Sequence, residues 1–313
     1  MPDLFIDKNV SPMLIGHEVE PYDDEESIFE LKLDGIRCIA YIDTTSVILR
    51  NKRNKDVTSL YPELQCLKHN VKKSCILDGE LIVLKNGKPD FFSIQKRSLM
   101  TDSFKIKLMA RTHLVQFVVF DILYFDGKDV THLPLLKRKA VLSKNVMEKD
   151  GLSISRFIEK KGIDFFNLAK ANALEGIVGK KKNSFYVLGK RTKDWKKIKV
   201  MMDEDLIICG YKENEEGEVK DLVLGYYDRK QNLKCRGSIS LGISKEDKAI
   251  IKDFAKHHRV SSPWFNEFKD IIWLELELVG IAHYMQKTET GHMRQAVFYG
   301  IRDDKEARDC IGI

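Results

Sequence analysis

The chain reads as an α+β protein in two parts: antiparallel sheets with flanking helices over residues 1–200, then an all-β barrel over residues 201–313. Three observations predict this. Period-two apolar runs alternate with helically spaced leucines up to Lys199. After Lys199 the texture changes to short strands punctuated by turn signals, with one helical stretch. A length of 313 residues also suffices for two separate cores.

Composition narrows the class. Hydrophobic residues at 43% and charged residues at 32% describe a globular protein. No apolar run approaches the ~20 residues of a membrane span, and MPDLFIDKNV lacks a secretory apolar block, so a soluble, intracellular protein with no membrane partner is expected. Cysteines at 38, 66, 75, 209, 235 and 310 form no CxxC pair, which indicates neither a zinc site nor a disulfide framework. The 53 basic and 47 acidic residues give +6, a modest excess that would help a polyanion bind.

Taken in order, residues 1–26 form an irregular, acidic lead-in. Ser27–Tyr41 reads as a strand that sets Glu30, Lys32 and Asp34 on one face and Phe29, Leu31 and Leu33 on the other. Three charges on one face build no core, and Gly35 permits a bend or close approach before Arg37. A second strand covers Val47–Arg50. Leu60, Leu64, Leu67 and Val71 predict an amphipathic helix over 59–72. Ile76–Leu84 is a strand with Asp78, Glu80 and Ile82 on one face. The apolar run Phe117–Phe125 predicts a strand buried on both sides. Helices follow from Pro134 to about Val146 and over 164–174. Glu175–Lys180 forms a strand, whose two ends share one pocket only if the chain bulges, with Gly179 the candidate. Trp195, Lys197 and Lys199 then share one face, and two neighbouring lysines call for an anion between them. In the last part, turn signals stand at Glu215–Gly217, Asp228–Lys230 and Lys234–Gly237, a helix at Lys245–His258, and strands at Ile271–Ile281 and Gln295–Ile301. This pattern fits a five-stranded OB-fold barrel.

Six fragments stand out: K-x-D-G-x-R at Lys32–Arg37, DGE at Asp78–Glu80, Phe120-Asp121, EGIVGK at Glu175–Lys180, W-x-K-x-K at Trp195–Lys199, and RDDK at Arg302–Lys305. Together with Pro12-Met13-Leu14 and the run Thr288–Arg294 plus Phe298, they resemble the covalent nucleotidyltransferases, and within them the ATP-dependent DNA ligases. Met293 and Ala296 replace that family's usual leucine and proline. The resemblance implies an ATP-grasp-like nucleotidyltransferase (adenylation) domain over 1–200 and an OB-fold domain over 201–313.

It also implies roles. Lys32 is the catalytic nucleophile that takes AMP from ATP before passing it to a 5′-phosphate at a nick, which a 3′-hydroxyl then seals. Glu30, Arg37, Arg50, Glu80, Phe120, Lys180, Arg191, Lys197, Lys199, Arg302 and Lys305 are the nucleotide-binding set, with Arg53 the competitor to Arg50. Phe120 is expected to stack on adenine, and Arg302 and Lys305 to hold the β and γ phosphates, which implies a hinge near Val200–Asp205. Glu80 and Glu175 are the metal ligands, for Mg²⁺ or Mn²⁺. The expected partners are ATP and nicked duplex DNA, bound by a minimal monomer that uses a mobile loop or a repair or replication partner to hold the nick. A capping guanylyltransferase or RNA ligase shares K-x-D-G-x-R, DGE and EG-x-V-x-K, whereas the Thr288–Arg294 run and W-x-K-x-K favour DNA ligase. A non-catalytic nucleic-acid-binding scaffold would be free to lose Lys32.

Overall fold

A computed structural model describes residues 3–288 and 290–312, and Glu289 of the Thr288–Arg294 run lies outside the described residues. The chain divides into two compact units, Met1–Val200 and Met201–Ile313. No described helix is long and apolar enough to cross a membrane.

Two sheets build the first unit. The larger runs in the order Val47–Asn51, Ile36–Ile42, Cys75–Lys85, Val115–Phe125, and is antiparallel throughout that path; Leu152–Ile154 adds parallel to Val115–Phe125. The smaller orders Trp195–Lys199, Gly176–Lys181, Asp24–Leu31 and Phe157–Lys160, all antiparallel. One face of the larger sheet carries Cys38, Ala40, Leu77, Phe117 and Val119 into a core closed by Leu64, Leu67, Ile94 and Leu142. On the smaller sheet, Phe29, Ile177 and Ile198 pack against Ala169 of the helix Gly162–Ala171. Ile39, Tyr41, Ile76, Tyr186 and Trp195 form a further buried cluster that draws on both sheets.

Several elements differ from the sequence reading, each for a local reason. The expected strand over Ser27–Tyr41 is two strands, because Leu31 ends one and Ile36 begins the next in the other sheet. Lys32–Gly35 is the crossing between them. A Cβ at Gly35 would overlap the Leu81 carbonyl oxygen, so the crossing is close enough to need glycine. The helix expected over 59–72 is two 3-10 segments, Thr58–Leu60 and Pro62–Asn70, because Pro62 has no N–H to continue an α-helix; Leu64 and Leu67 still face the core. The helices Phe91–Ser98 and Ser103–Thr112, capped by Asp90 and Asp102, were not foreseen.

In the second unit the strands order Leu233–Ile239, Val219–Tyr227, Met202–Glu213, Val279–Tyr284 and Val297–Arg302, with the helix Lys245–Phe254 fixed by a Ser244–Asp247 capping box. The turn expected at Lys234–Gly237 is instead a bulge inside a strand. All six cysteines are free.

Candidate active site

Strand register decides which side chains meet. Glu30 lies opposite Val178, which lies opposite Lys197, and Lys180 lies opposite Trp195, so these residues share the inner face of the smaller sheet. On the larger sheet Arg37 lies opposite Glu80. In the next strand Asp78 pairs with Asp121 and Gly79 with Val119, which leaves Phe120 as the extra residue of a bulge. A bulge re-aims one side chain. Phe120, expected to sit in a regular strand, thereby joins a pocket lined by Ile15, Glu30, Lys32, Arg37, Glu80, Lys180 and Trp195.

Lys32 stands just beyond its strand, tied down by its own N–H to the Gly176 carbonyl at 2.9 Å. Its Nζ forms an ion pair with Glu175 Oε1, whose side chain is only 4% exposed. Glu175 precedes the strand Gly176–Lys181, whose register against both neighbours is regular. The expected bulge at Gly179 is therefore absent. The turn that re-aims Glu175 is made by Gly176 at φ +139°, where a Cβ would overlap the Ile198 carbonyl oxygen. Gly176→Ala is expected to cost about 1–3 kcal/mol and to displace both the Lys32 tether and Glu175. A thermal melt checks the stability change, and covalent nucleotide labelling checks the second.

Burial dominates the electrostatics. Glu30, 2% exposed, bridges Lys139 of the helix Leu135–Asn145 and, at 2.5 Å, Lys180. Loss of water pulls Lys180 down to about 7 against the attraction of Asp121, while the Glu30 contact favours its charged form. Its ammonium lies 4.4 Å from the Phe120 ring centre and 4.1 Å from that of Trp195. Arg37 also lies over Phe120 at 4.4 Å, clasped by Asp78 through two hydrogen bonds of 2.5 and 2.6 Å. Desolvation pushes the Glu80 carboxyl up to about 8, opposed by Arg37 and Lys32 and reinforced by Glu175. The Trp195 indole N–H is buried and has no hydrogen-bond partner among the described residues.

The other expected site residues are not among those that line this pocket. Lys197 and Lys199 do have an anion between them: Glu18 Oε2, 3.4 Å from each. Arg191 donates to the carbonyls of Ile15 and Gly16 and so anchors one pocket wall. Arg50 does not line the pocket, because its guanidinium donates to the Asn54 carbonyl at 3.1 Å within its own hairpin. In the second unit Arg302 is clasped by Asp304 and reaches Asp205 at 3.1 Å, and Lys305 contacts Asp205 at 3.2 Å. Ile15, Glu18, Tyr186 and Lys139 went unsuspected in the sequence, and Asp78, though part of the DGE fragment, carried no role there. For Lys139 and Tyr186 no local signal existed, since each gains its meaning from a partner more than a hundred residues away.

A lysine amine beside two carboxyl groups, flanked by cations and an aromatic ring, is an arrangement able to hold a nucleotide and attack a phosphoanhydride. Set on paired antiparallel sheets and followed by a barrel, it defines a covalent nucleotidyltransferase architecture. Comparison with known proteins agrees. The model of the ATP dependent DNA ligase domain matches residues 12–199, and that of the ATP dependent DNA ligase C terminal region matches residues 215–305. The SPbeta prophage-derived DNA ligase-like protein LigB of Bacillus subtilis (strain 168) is 37% identical over 203 residues, covering 64% of this chain and 72% of that one. The multifunctional non-homologous end joining DNA repair protein LigD of Mycobacterium tuberculosis (strain ATCC 25618 / H37Rv) is 28% identical over 97% of this chain, which spans 40% of LigD. A solved structure of mycobacterial DNA ligase D complexed with ATP and MES matches with a TM-score of 0.57 and 26% identity, covering 98% of this chain and 99% of that one. The chain belongs to the ATP-dependent DNA ligase family.

Proposed function

We propose that this chain seals nicks in duplex DNA by way of an AMP group carried on Lys32. The observation that supports this best is the Lys32–Glu175 pair in a pocket with Arg37, Glu80 and an aromatic wall. The Lys32 Nζ forms a bond to the α-phosphorus of ATP as the bond to pyrophosphate breaks. Its proton must leave, and the hydrogen-bonded Glu175 carboxylate is the acceptor at hand. A 5′-phosphate oxygen then takes AMP from the lysine, and a 3′-hydroxyl attacks that 5′-phosphorus, expelling AMP and closing the strand.

Adenine stacking on Phe120 exchanges one of the two cation contacts over that ring for a ring contact. The unpartnered Trp195 N–H offers a donor. Glu175 makes Glu80 harder to ionise, and the oxygen donors of the two fit a hard divalent cation such as Mg²⁺ or Mn²⁺. Such an ion, when bound, neutralises phosphate charge. Arg302 and Lys305 must loosen from Asp205 before either serves a β or γ phosphate.

Lys197 and Lys199 gain a phosphate only by giving up Glu18. A partly exposed pair of this length is worth about 0.2–1 kcal/mol. Glu18→Gln is therefore expected to tighten ATP binding about 2- to 5-fold by calorimetry, and weaker binding would mean that Glu18 positions the lysines instead.

The decisive experiment incubates the protein with α-labelled ATP or GTP and a divalent cation, then denatures it. Label retained from ATP alone, followed by joining of a nicked duplex, supports the reading. Label from GTP alone points to capping, joining confined to RNA points to an RNA ligase, and no label from either points to a scaffold. Use as a monomer, and the strand-break pathway served, belong to the same proposal. The mycobacterial relative named for end joining is far longer than this chain.

A further inference from the structure

Three residues with metal-ligating atoms converge in the second unit, outside the pocket described above. Cys235 lies in the strand Leu233–Ile239, Glu267 in the loop before Ile272–Trp273, and His292 in the turn joining Gln286–Lys287 to Met293–Arg294. Their Sγ, carboxylate oxygen and ring nitrogen all lie within 4.8 Å of one another. Two features of the fold hold Cys235 and His292 there. The register between Val219–Tyr227 and Leu233–Ile239 skips Arg236, so Cys235 sits at a bulge followed by Gly237 at φ +108°. Arg236 donates to the Gly291 carbonyl at 3.0 Å, which pins the turn beside His292, and the His292 N–H is bound by Thr288 Oγ1 at 3.0 Å.

We propose that Cys235, Glu267 and His292 bind one thiophilic divalent cation, zinc by its ligand chemistry, and that it clips this hairpin to the barrel. A thiolate, an imidazole and a carboxylate are zinc's preferred donors, and three protein ligands leave a fourth position for water. Magnesium and calcium, which take oxygen, are disfavoured by the sulfur. Donors about 2.0–2.3 Å from a tetrahedral zinc stand about 3.5 Å apart, so closing the site takes a contraction of at most about 1.3 Å between any two of them. Glu267 is exposed and His292 partly so, which gives both room to move. The hairpin pairs only two residues with two, a ribbon that is marginal without further support. The expectation from sequence that no zinc site exists rested on the missing CxxC pair, and these ligands are distant in the chain.

The full chain, stripped with a chelator, is titrated with Zn²⁺ by calorimetry and with Co²⁺ by absorption. The expected result is one equivalent of Zn²⁺ bound at micromolar affinity or tighter, a thiolate-to-cobalt charge-transfer band, and a higher melting temperature with zinc. Cys235→Ser should remove the band and weaken zinc at least 100-fold, and His292→Ala and Glu267→Gln should each weaken it at least tenfold. Cys66→Ser, at a partly exposed thiol elsewhere, should change nothing. The proposal is overturned by the absence of saturable one-equivalent binding, by loss of the band in Cys66→Ser, or by undiminished zinc affinity in His292→Ala and Glu267→Gln. Glu267 is exposed, so its variant folds even where Cys235→Ser does not.

Discussion

Lys32→Ala is expected to abolish retention of α-labelled AMP on the denatured chain and to slow the joining of an unmodified nick by about 10⁴-fold or more. That factor corresponds to about 5.5 kcal/mol of lost transition-state stabilisation, as befits removal of the atom that forms the bond. The same variant should still join a nick whose 5′-phosphate already carries AMP, because that step needs only the 3′-hydroxyl and the departing nucleotide. This split separates a lost nucleophile from a damaged pocket. Glu175→Gln should behave differently: it removes the proton acceptor from the Lys32 pair but leaves the amine, so label should form slowly rather than not at all. Equal sealing by Lys32→Ala and the parent chain would end the proposed chemistry.

The part of the site that alternation along a strand controls was legible in the sequence. Glu30 and Lys180, like Trp195, reach the pocket through regular period-two geometry on the smaller sheet. The remainder depends on departures from regularity. Phe120 enters through a bulge, a one-residue slip that no pattern of apolar residues encodes. Glu175 enters through the positive φ of Gly176, whereas Gly179, three residues later, is an equally permissive glycine and so looks like the place for the irregularity in the sequence. Glu18 was unreadable for another reason. The acidic lead-in looks solvated, yet Val19 donates to the Lys197 carbonyl at 3.0 Å, which lays that segment along the last strand of the sheet. Several of the basic residues between 180 and 199 are neutralised within the unit: Lys180 by Glu30, Lys181 by Asp24, Lys182 by Glu159. Net charge was thus a poor guide to where a polyanion binds, since several of these cations already face a carboxylate of the same unit.

Asp78→Ala is expected to be strongly destabilising to the first unit while leaving Lys32 in place. Asp78 is 0% exposed and accepts three hydrogen bonds, two from Arg37 and one from the Tyr186 hydroxyl at 2.5 Å. Removing one member of a buried ion pair leaves the other charge without compensation, at a cost of about 3–5 kcal/mol. That is a large share of a domain's total of about 5–15 kcal/mol, and in a unit of this size it lowers the melting temperature by roughly 6–20 °C. Asp78→Asn keeps the shape and an acceptor while losing the charge, so its drop should be smaller. The functional consequence follows from the same clasp. Arg37 lies 4.4 Å from the centre of the Phe120 ring only while Asp78 holds it, so nucleotide affinity should fall in both variants even at temperatures where each remains folded. A melting temperature unchanged in Asp78→Ala would show that Arg37 finds another partner, and the DGE aspartate would then be dispensable to both the fold and the pocket.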